Sequence, residues 1–217
     1  MSDLRRGKEF VFLNQTLILD PLKALYWREH KMLVISDLHL GKAAHFRKSG
    51  IPIPTSIHSH DLHNLDYLVA YYHPDTIIFL GDLFHSEINN EWDDFIFWLN
   101  QNSQLDIILV KGNHDILNES IYDLSILQLK DELIVKPFHF THEAVQSDYY
   151  NVSGHVHPSI RLLGSARQAM TLSCFYFSLT SAILPAFGNF TGNFKIKPEK
   201  NSKIFAVAED EIIALMG

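Results

Sequence analysis

At 217 residues, 47% hydrophobic and 20% charged, the chain can bury a substantial core and is too apolar to be disordered. A formal charge of −7 argues against a general basic surface for duplex nucleic acid, and no apolar run reaches the ~20 residues needed to cross a bilayer. The single cysteine, Cys174, excludes an internal disulfide or a thiolate metal cluster within one chain, whereas 13 histidines have to be sorted position by position.

The N-terminal residues 1–8 have no apolar segment of signal-peptide type behind them, so the expected location is the cytoplasm. Residues 10–13 and 16–19 read as a hairpin turning at Asn14-Gln15. The strand at 31–35 ends in Ser36-Asp37-Leu38-His39, and after a loop containing Pro52 and Pro54 comes a helix over 55–72 with its cap at Thr55 or Ser56. A buried strand over 76–80 runs into Gly81-Asp82-Leu83-Phe84-His85. An amphipathic helix over 90–100 places Trp92, Phe95, Ile96 and Leu99 on one face, and the cluster Trp92, Phe95 and Trp98 reads as core. A strand over 106–110 then feeds Gly112-Asn113-His114-Asp115. Alternating strands and helices imply βαβ units and a mostly parallel sheet. Beyond residue 130 the pattern changes to short strands, at 133–135, 138–141, 149–153, 160–163, 169–177, 182–184 and 204–208, which suggests a second, mainly antiparallel sheet packed on the first. With no repeat or linker, 1–217 reads as a single domain.

Four strand ends carry ligand-type residues: Asp37 with His39, Asp82 with His85, Asn113 with His114, and His155 with His157, to which His142 adds a fifth position. Residues two apart in an extended segment point the same way, so Asp37 and His39 are expected to meet one ion, and His155 and His157 to aim at a common centre. Mixed carboxylate, amide and imidazole donors suit Mn²⁺, Fe²⁺ or Zn²⁺ better than Ca²⁺. Apart from His85 and His114, the seven remaining candidates exceed one tetrahedral ion, but with Asp82 shared they divide into two sets of four.

The five blocks Asp37-Leu38-His39, Gly81-Asp82-Leu83-Phe84-His85, Gly112-Asn113-His114-Asp115, Thr141-His142 and Gly154-His155-Val156-His157 resemble, in order, the signature of the calcineurin-like metallophosphoesterase superfamily. The resemblance implies an α/β (α+β) four-layer αββα sandwich, with two central mixed sheets flanked by helices. It implies that Asp37, His39, Asp82 and His157 hold one metal, that Asp82, Asn113, His142 and His155 hold the other, and that His114 faces the phosphoryl group. A hydroxide bridging the two ions would attack phosphorus in line, with His114 or His85 protonating the leaving oxygen. Two divalent ions are expected, Mn²⁺ first, with Fe²⁺, Zn²⁺ or other first-row ions as alternatives.

The stretch Asp37-Leu38-His39-Leu40-Gly41-Lys42-Ala43-Ala44-His45-Phe46-Arg47, with Gly154-His155-Val156-His157-Pro158 and residues 184–192, is similar to the bacterial ligase-associated DNA-damage-response metallophosphoesterases. That similarity implies a phosphodiesterase or nuclease of DNA repair, acting on single strands or ends and associated with a DNA ligase and a helicase. Ala144 departs from it where proline is expected. His85 stands where many phosphomonoesterases of the superfamily carry Asp, which favours diester substrates. The alternatives are a phosphatase or nucleotide phosphodiesterase, and a metal-bound repair scaffold without catalysis.

Lys42 and Arg47, with His45 and Lys48, are candidates for meeting a nucleic-acid backbone, and Arg161 and Arg167 have the same potential. Phe187 and Phe190 read first as core and second as faces for base stacking. Gly188 and Gly192 read as turn formers. Asp115 reads as a cap on the turn that follows it. His30, His58, His60, His63, His73 and His139 read as surface or helix-face residues.

Overall fold

The structure, a computed structural model, describes residues 7–42, 56–84, 90–115, 126–163, 169–189 and 191–215. One sheet contains β1 (Lys8–Phe12), β2 (Gln15–Leu19), β3 (Leu25–Trp27), β4 (Met32–Ser36), β5 (Thr76–Leu80), β6 (Asp106–Val110) and β7 (Leu127–Lys130), bonded in chain order. Neighbours from β1 to β4 are antiparallel, and those from β4 to β7 are parallel. The other sheet contains β8 (Leu133–Val135), β9 (Phe138–Phe140), β10 (Tyr150–Ser153), β11 (Pro158–Leu163), β12 (Ala169–Phe177), β13 (Ser181–Ile183), β14 (Phe194–Lys195), β15 (Lys203–Ala208) and β16 (Glu211–Leu215). Its order is β14-β11-β12-β13-β10-β9-β8, with β15 branching from β12 and β16 from β15. This sheet is mixed too: β10 lies parallel to β9 and β13, and β11 to β14, among antiparallel pairs.

Both faces of the first sheet are covered, which is why β4, β5 and β6 read as unbroken apolar runs. Ile35, Phe79 and Leu109 turn towards helices α1 (Ser56–Tyr72) and α2 (Asn90–Gln101), where they pack with Leu65, Leu68, Trp92, Phe95, Trp98 and Leu99. Their neighbours Val34, Ile78 and Ile108 turn the other way and meet Phe138, Val152, Phe175 and Phe205 of the second sheet. Period-two alternation thus makes each central strand serve two cores. Fully burying such side chains contributes about 1.5–3 kcal/mol each. Two mixed sheets packed face to face, with helices outside the first, bear out the expected sandwich. Among the described residues, both helices lie on the first sheet.

Several boundaries differ from expectation. The hairpin turns at Leu13 and Asn14, which have φ of 50° and 59°, and Phe12 pairs with Gln15. Two successive left-handed residues match the strand twist, so the turn falls one residue earlier than composition suggested. Strands β3, β7, β14 and β16 were not anticipated. β3 and β14 have three and two residues, too few to show a period. Among the described residues no helix is long and apolar enough to cross a membrane.

Candidate active site

The parallel strands β4, β5 and β6 end side by side, and their carboxyl ends form a rim where functional groups gather. Asp37 and His39 leave β4, Asp82 leaves β5, and Asn113 leaves β6. The first two exits are laced together: the Asp37 N–H donates to the Gly81 carbonyl (3.3 Å), and the His39 N–H to the Asp82 carbonyl (2.9 Å). The second sheet supplies His142 after β9, His155 after β10 and His157 just before β11.

Two groups result. Asp37, His39 and His157 bring one ligand-type atom each to a common spot, as do Asp82, His142 and His155, the atoms of each group lying within 4.8 Å of one another. His157 Nε2 lies 3.3 Å from Asp37 Oδ1 and 3.4 Å from His39 Nε2. His142 Nε2 lies 3.0 Å from Asn113 Oδ1 and 3.1 Å from His155 Nδ1, which adds Asn113 to the second group. Asp82 stands between them, with Oδ1 3.4 Å from His142 Nε2 and Oδ2 3.8 Å from His39 Nε2.

Two imidazoles are oriented by backbone carbonyls, which can only accept. His142 Nδ1 therefore donates to Leu80 O (2.9 Å), and His157 Nδ1 to Gly192 O (3.1 Å). In a neutral ring that leaves Nε2 without a proton, facing the site. Around His142 Nε2 the neighbours Asn113 Oδ1 and Asp82 Oδ1 are also acceptors, so lone pairs converge where a cation would satisfy them. By this test the residues present fit a pair of metal ions.

The backbone explains how the groups form. Asp37, His39, Asp82, His155 and His157 all have φ between 50° and 67°, a region that non-glycine residues seldom occupy. Such strain concentrates at functional sites and persists where surrounding structure over-determines it. Here it corrects the extended-segment argument. Asp37 and His39 do share a group, but through two left-handed kinks. His155 and His157 do not aim at a common centre: each joins a different group. The glycines complete the crowding. Gly81 has φ of 70°, and a Cβ there would stand 2.2 Å from His142 Nδ1; one at Gly154 would stand 2.5 Å from Asp37 Oδ2. Gly188 is required by close approach to the Leu38 carbonyl, and a Cβ on Gly192 would meet open space.

Asp115 does more than cap a local turn. Its carboxylate accepts N–H bonds from Leu83 (3.0 Å), Phe84 (3.2 Å) and Gly112 (2.8 Å), tying the loop after β5 to the loop after β6. Burial pushes its pKa up to about 6, against the pull of those N–H groups. The adjacent His114 is exposed; its backbone N–H donates to Asp82 Oδ1 (2.9 Å), and its ring stands edge-on to His39 at 5.8 Å. Lys42 is half-buried. Burial lowers its pKa, opposed by the charges of Asp82 and Asp37.

The remaining expectations sort as follows. Phe187 is core, 2% exposed, and its N–H donates to the Ser36 carbonyl (2.9 Å). Arg161 is exposed on β11. His139, read as surface, is buried in β9 with partners Ser147 Oγ (2.8 Å) and Glu132 Oε2 (3.1 Å). Of the anticipated site residues, His85 and Arg47 lie outside the described residues, as do His45, Lys48, Arg167 and Phe190. Sequence reasoning missed the carbonyls that orient His142 and His157, since a backbone acceptor leaves no mark in residue identity.

Two clusters of ligand-type side chains around a shared carboxylate, at the carboxyl ends of parallel strands in a two-sheet sandwich, define the metallophosphoesterase class. Comparison with known proteins agrees: the model of the calcineurin-like phosphoesterase family matches residues 30–195, and the chain belongs to that family of phosphoester hydrolases. Its members depend on two metal ions, and the two groups here could hold them. The crystal structure of the Pseudomonas putida nuclease MPE is similar with a TM-score of 0.81 and 27% identity, covering 97% of this chain and 100% of that one. The Escherichia coli phosphoesterase Yfce shares 14% identity over 84% of this chain and 96% of its own, with a TM-score of 0.45. No curated protein sequence gives a match.

Proposed function

We propose that the protein is a dinuclear-metal-dependent phosphodiesterase that cleaves DNA, in single strands or at ends, during repair. The observation that carries this reading is Asp82, whose two oxygens face separate ligand groups in a fold similar over 97% of the chain to a nuclease. In the proposed arrangement Asp37, His39, Asp82 and His157 hold one divalent ion, and Asp82, Asn113, His142 and His155 the other, with manganese the first expectation. When bound, such a pair acidifies a water molecule and withdraws charge from phosphoryl oxygens.

The chain's own side chains do the rest. The carbonyls of Leu80 and Gly192 keep a proton on Nδ1 of His142 and His157, so that each Nε2 stays turned to the site. His114, fixed through its backbone to Asp82, reaches the substrate phosphoryl group and protonates the leaving alkoxide. His85 is the second candidate for that proton. Lys42 and Arg47 bind neighbouring phosphates. The strands of both halves share one core, which supports reading 1–217 as a single domain. We place the enzyme in the cytoplasm, in functional association with a DNA ligase and a helicase.

The test is incubation of the protein plus Mn²⁺ with labelled linear and circular single-stranded DNA. Cutting of circles is expected and would establish endonuclease action. Hydrolysis of p-nitrophenyl phosphate in preference to bis-p-nitrophenyl phosphate would overturn the diester assignment in favour of a phosphatase. Absence of hydrolysis with every first-row metal would leave a non-catalytic scaffold.

A further inference from the structure

We infer that Phe194 is a stacking platform for an unpaired base of the strand whose phosphodiester occupies the site, an inference that rests on the nuclease reading above. Phe194 begins β14, a two-residue strand at the edge of the second sheet, and is 62% exposed. Its backbone is tied at both its N–H and its carbonyl. Its N–H donates to the His157 carbonyl (2.9 Å), and its own carbonyl accepts from the hydroxyl of the buried Ser159 (3.0 Å). Two residues earlier, the Gly192 carbonyl receives the His157 Nδ1 proton. The exposed ring and a candidate ligand imidazole are therefore parts of one short hydrogen-bonded frame.

What sets this exposed phenyl apart is its backbone tie to His157, a candidate ligand, and a flat apolar face so placed matches what a base offers. Bases in a duplex are already stacked, so the arrangement selects single strands. The surrounding charge agrees. In a chain of net charge −7, residues 193–200 contain Lys195, Lys197 and Lys200 against Glu199. Lys195 pairs in register with Ser159 on the opposite face of β14 from Phe194, and Arg161 follows Ser159 on that face, both cations exposed. A strand crossing this edge meets an aromatic ring on one side and cations on the other. Phe187, which the sequence read first as core and second as a stacking face, is enclosed and cannot serve.

The test compares the full chain with Phe194→Ala and Phe194→Trp. With Mn²⁺ present, the expected result is that kcat/KM on a short single-stranded oligonucleotide falls about five- to hundredfold in Phe194→Ala. Hydrolysis of bis-p-nitrophenyl phosphate should be unchanged, and Phe194→Trp should restore cleavage. Without metal, in EDTA, an oligonucleotide bearing 2-aminopurine should lose fluorescence on binding to the wild type and to Phe194→Trp but keep it with Phe194→Ala. Equal oligonucleotide cleavage by all three proteins would overturn the inference while leaving the nuclease reading intact, as would equal losses on both substrates. A wild type that hydrolyses the small diester and leaves the oligonucleotide whole would overturn the nuclease reading itself.

Discussion

Asp82 faces both ligand groups, so its replacement should act on both at once. Asp82→Asn is expected to reduce the metal content below two ions per chain, read by elemental analysis, and to abolish turnover. The His114 backbone N–H donates to Asp82, and that bond survives a change of side chain. His114→Ala should therefore keep its metal while losing about 10²–10⁴-fold in kcat, the usual contribution of a general acid. Loss of both ions in that variant would contradict the role. Cys174 is fully enclosed, and burial pushes its thiol up to about 12. At pH 8 it should stay protonated and resist a thiol reagent in the native protein, then react after unfolding in guanidinium. At this scale the sequence was most legible where chemistry is specific to residue type. Asp37, His39, Asp82, Asn113, His142, His155 and His157 all converge. What it hid was backbone conformation: nothing in His155-Val156-His157 announces that both histidines turn left-handed and part company.

The loops after β5 and β6 are independent in sequence and are joined by one carboxylate. Asp115 accepts three backbone N–H bonds across them, and hydrogen bonds to a charged group contribute about 1.5–3 kcal/mol. Asp115→Ala should lower the chemical-denaturation stability by roughly that amount, since it strands buried donors. It should also raise the metal concentration needed for half-maximal activity, because Asn113 and Asp82 would no longer be held in register. Unchanged stability would show that water replaces the carboxylate. Long apolar strands and the amphipathic α2 were readable because periodicity accumulates over several residues. β14 was not: two residues carry no period, and its place is set by the His157 carbonyl, 37 positions earlier in the chain.

In the whole molecule, each ligand group draws on both sheets. Asp37 and His39 belong to the first and His157 to the second; Asp82 and Asn113 belong to the first, His142 and His155 to the second. Bound ions would consequently stabilise the packed sandwich over any state in which the sheets part. Ligand at about 100-fold over its Kd contributes about 2.7 kcal/mol, which for a chain of this size is a rise of roughly 5–10 °C in Tm. Differential scanning calorimetry with Mn²⁺ against EDTA should show it.

The first sheet ends with Lys130 and the second begins with Leu133, so a nick between Asp131 and Glu132 severs no ladder. Each fragment would keep all its own strand pairings and lose its cover, and neither would own a complete donor set. The polypeptide should therefore serve as a split reporter: two separately expressed pieces are expected to recover phosphoesterase signal only on meeting.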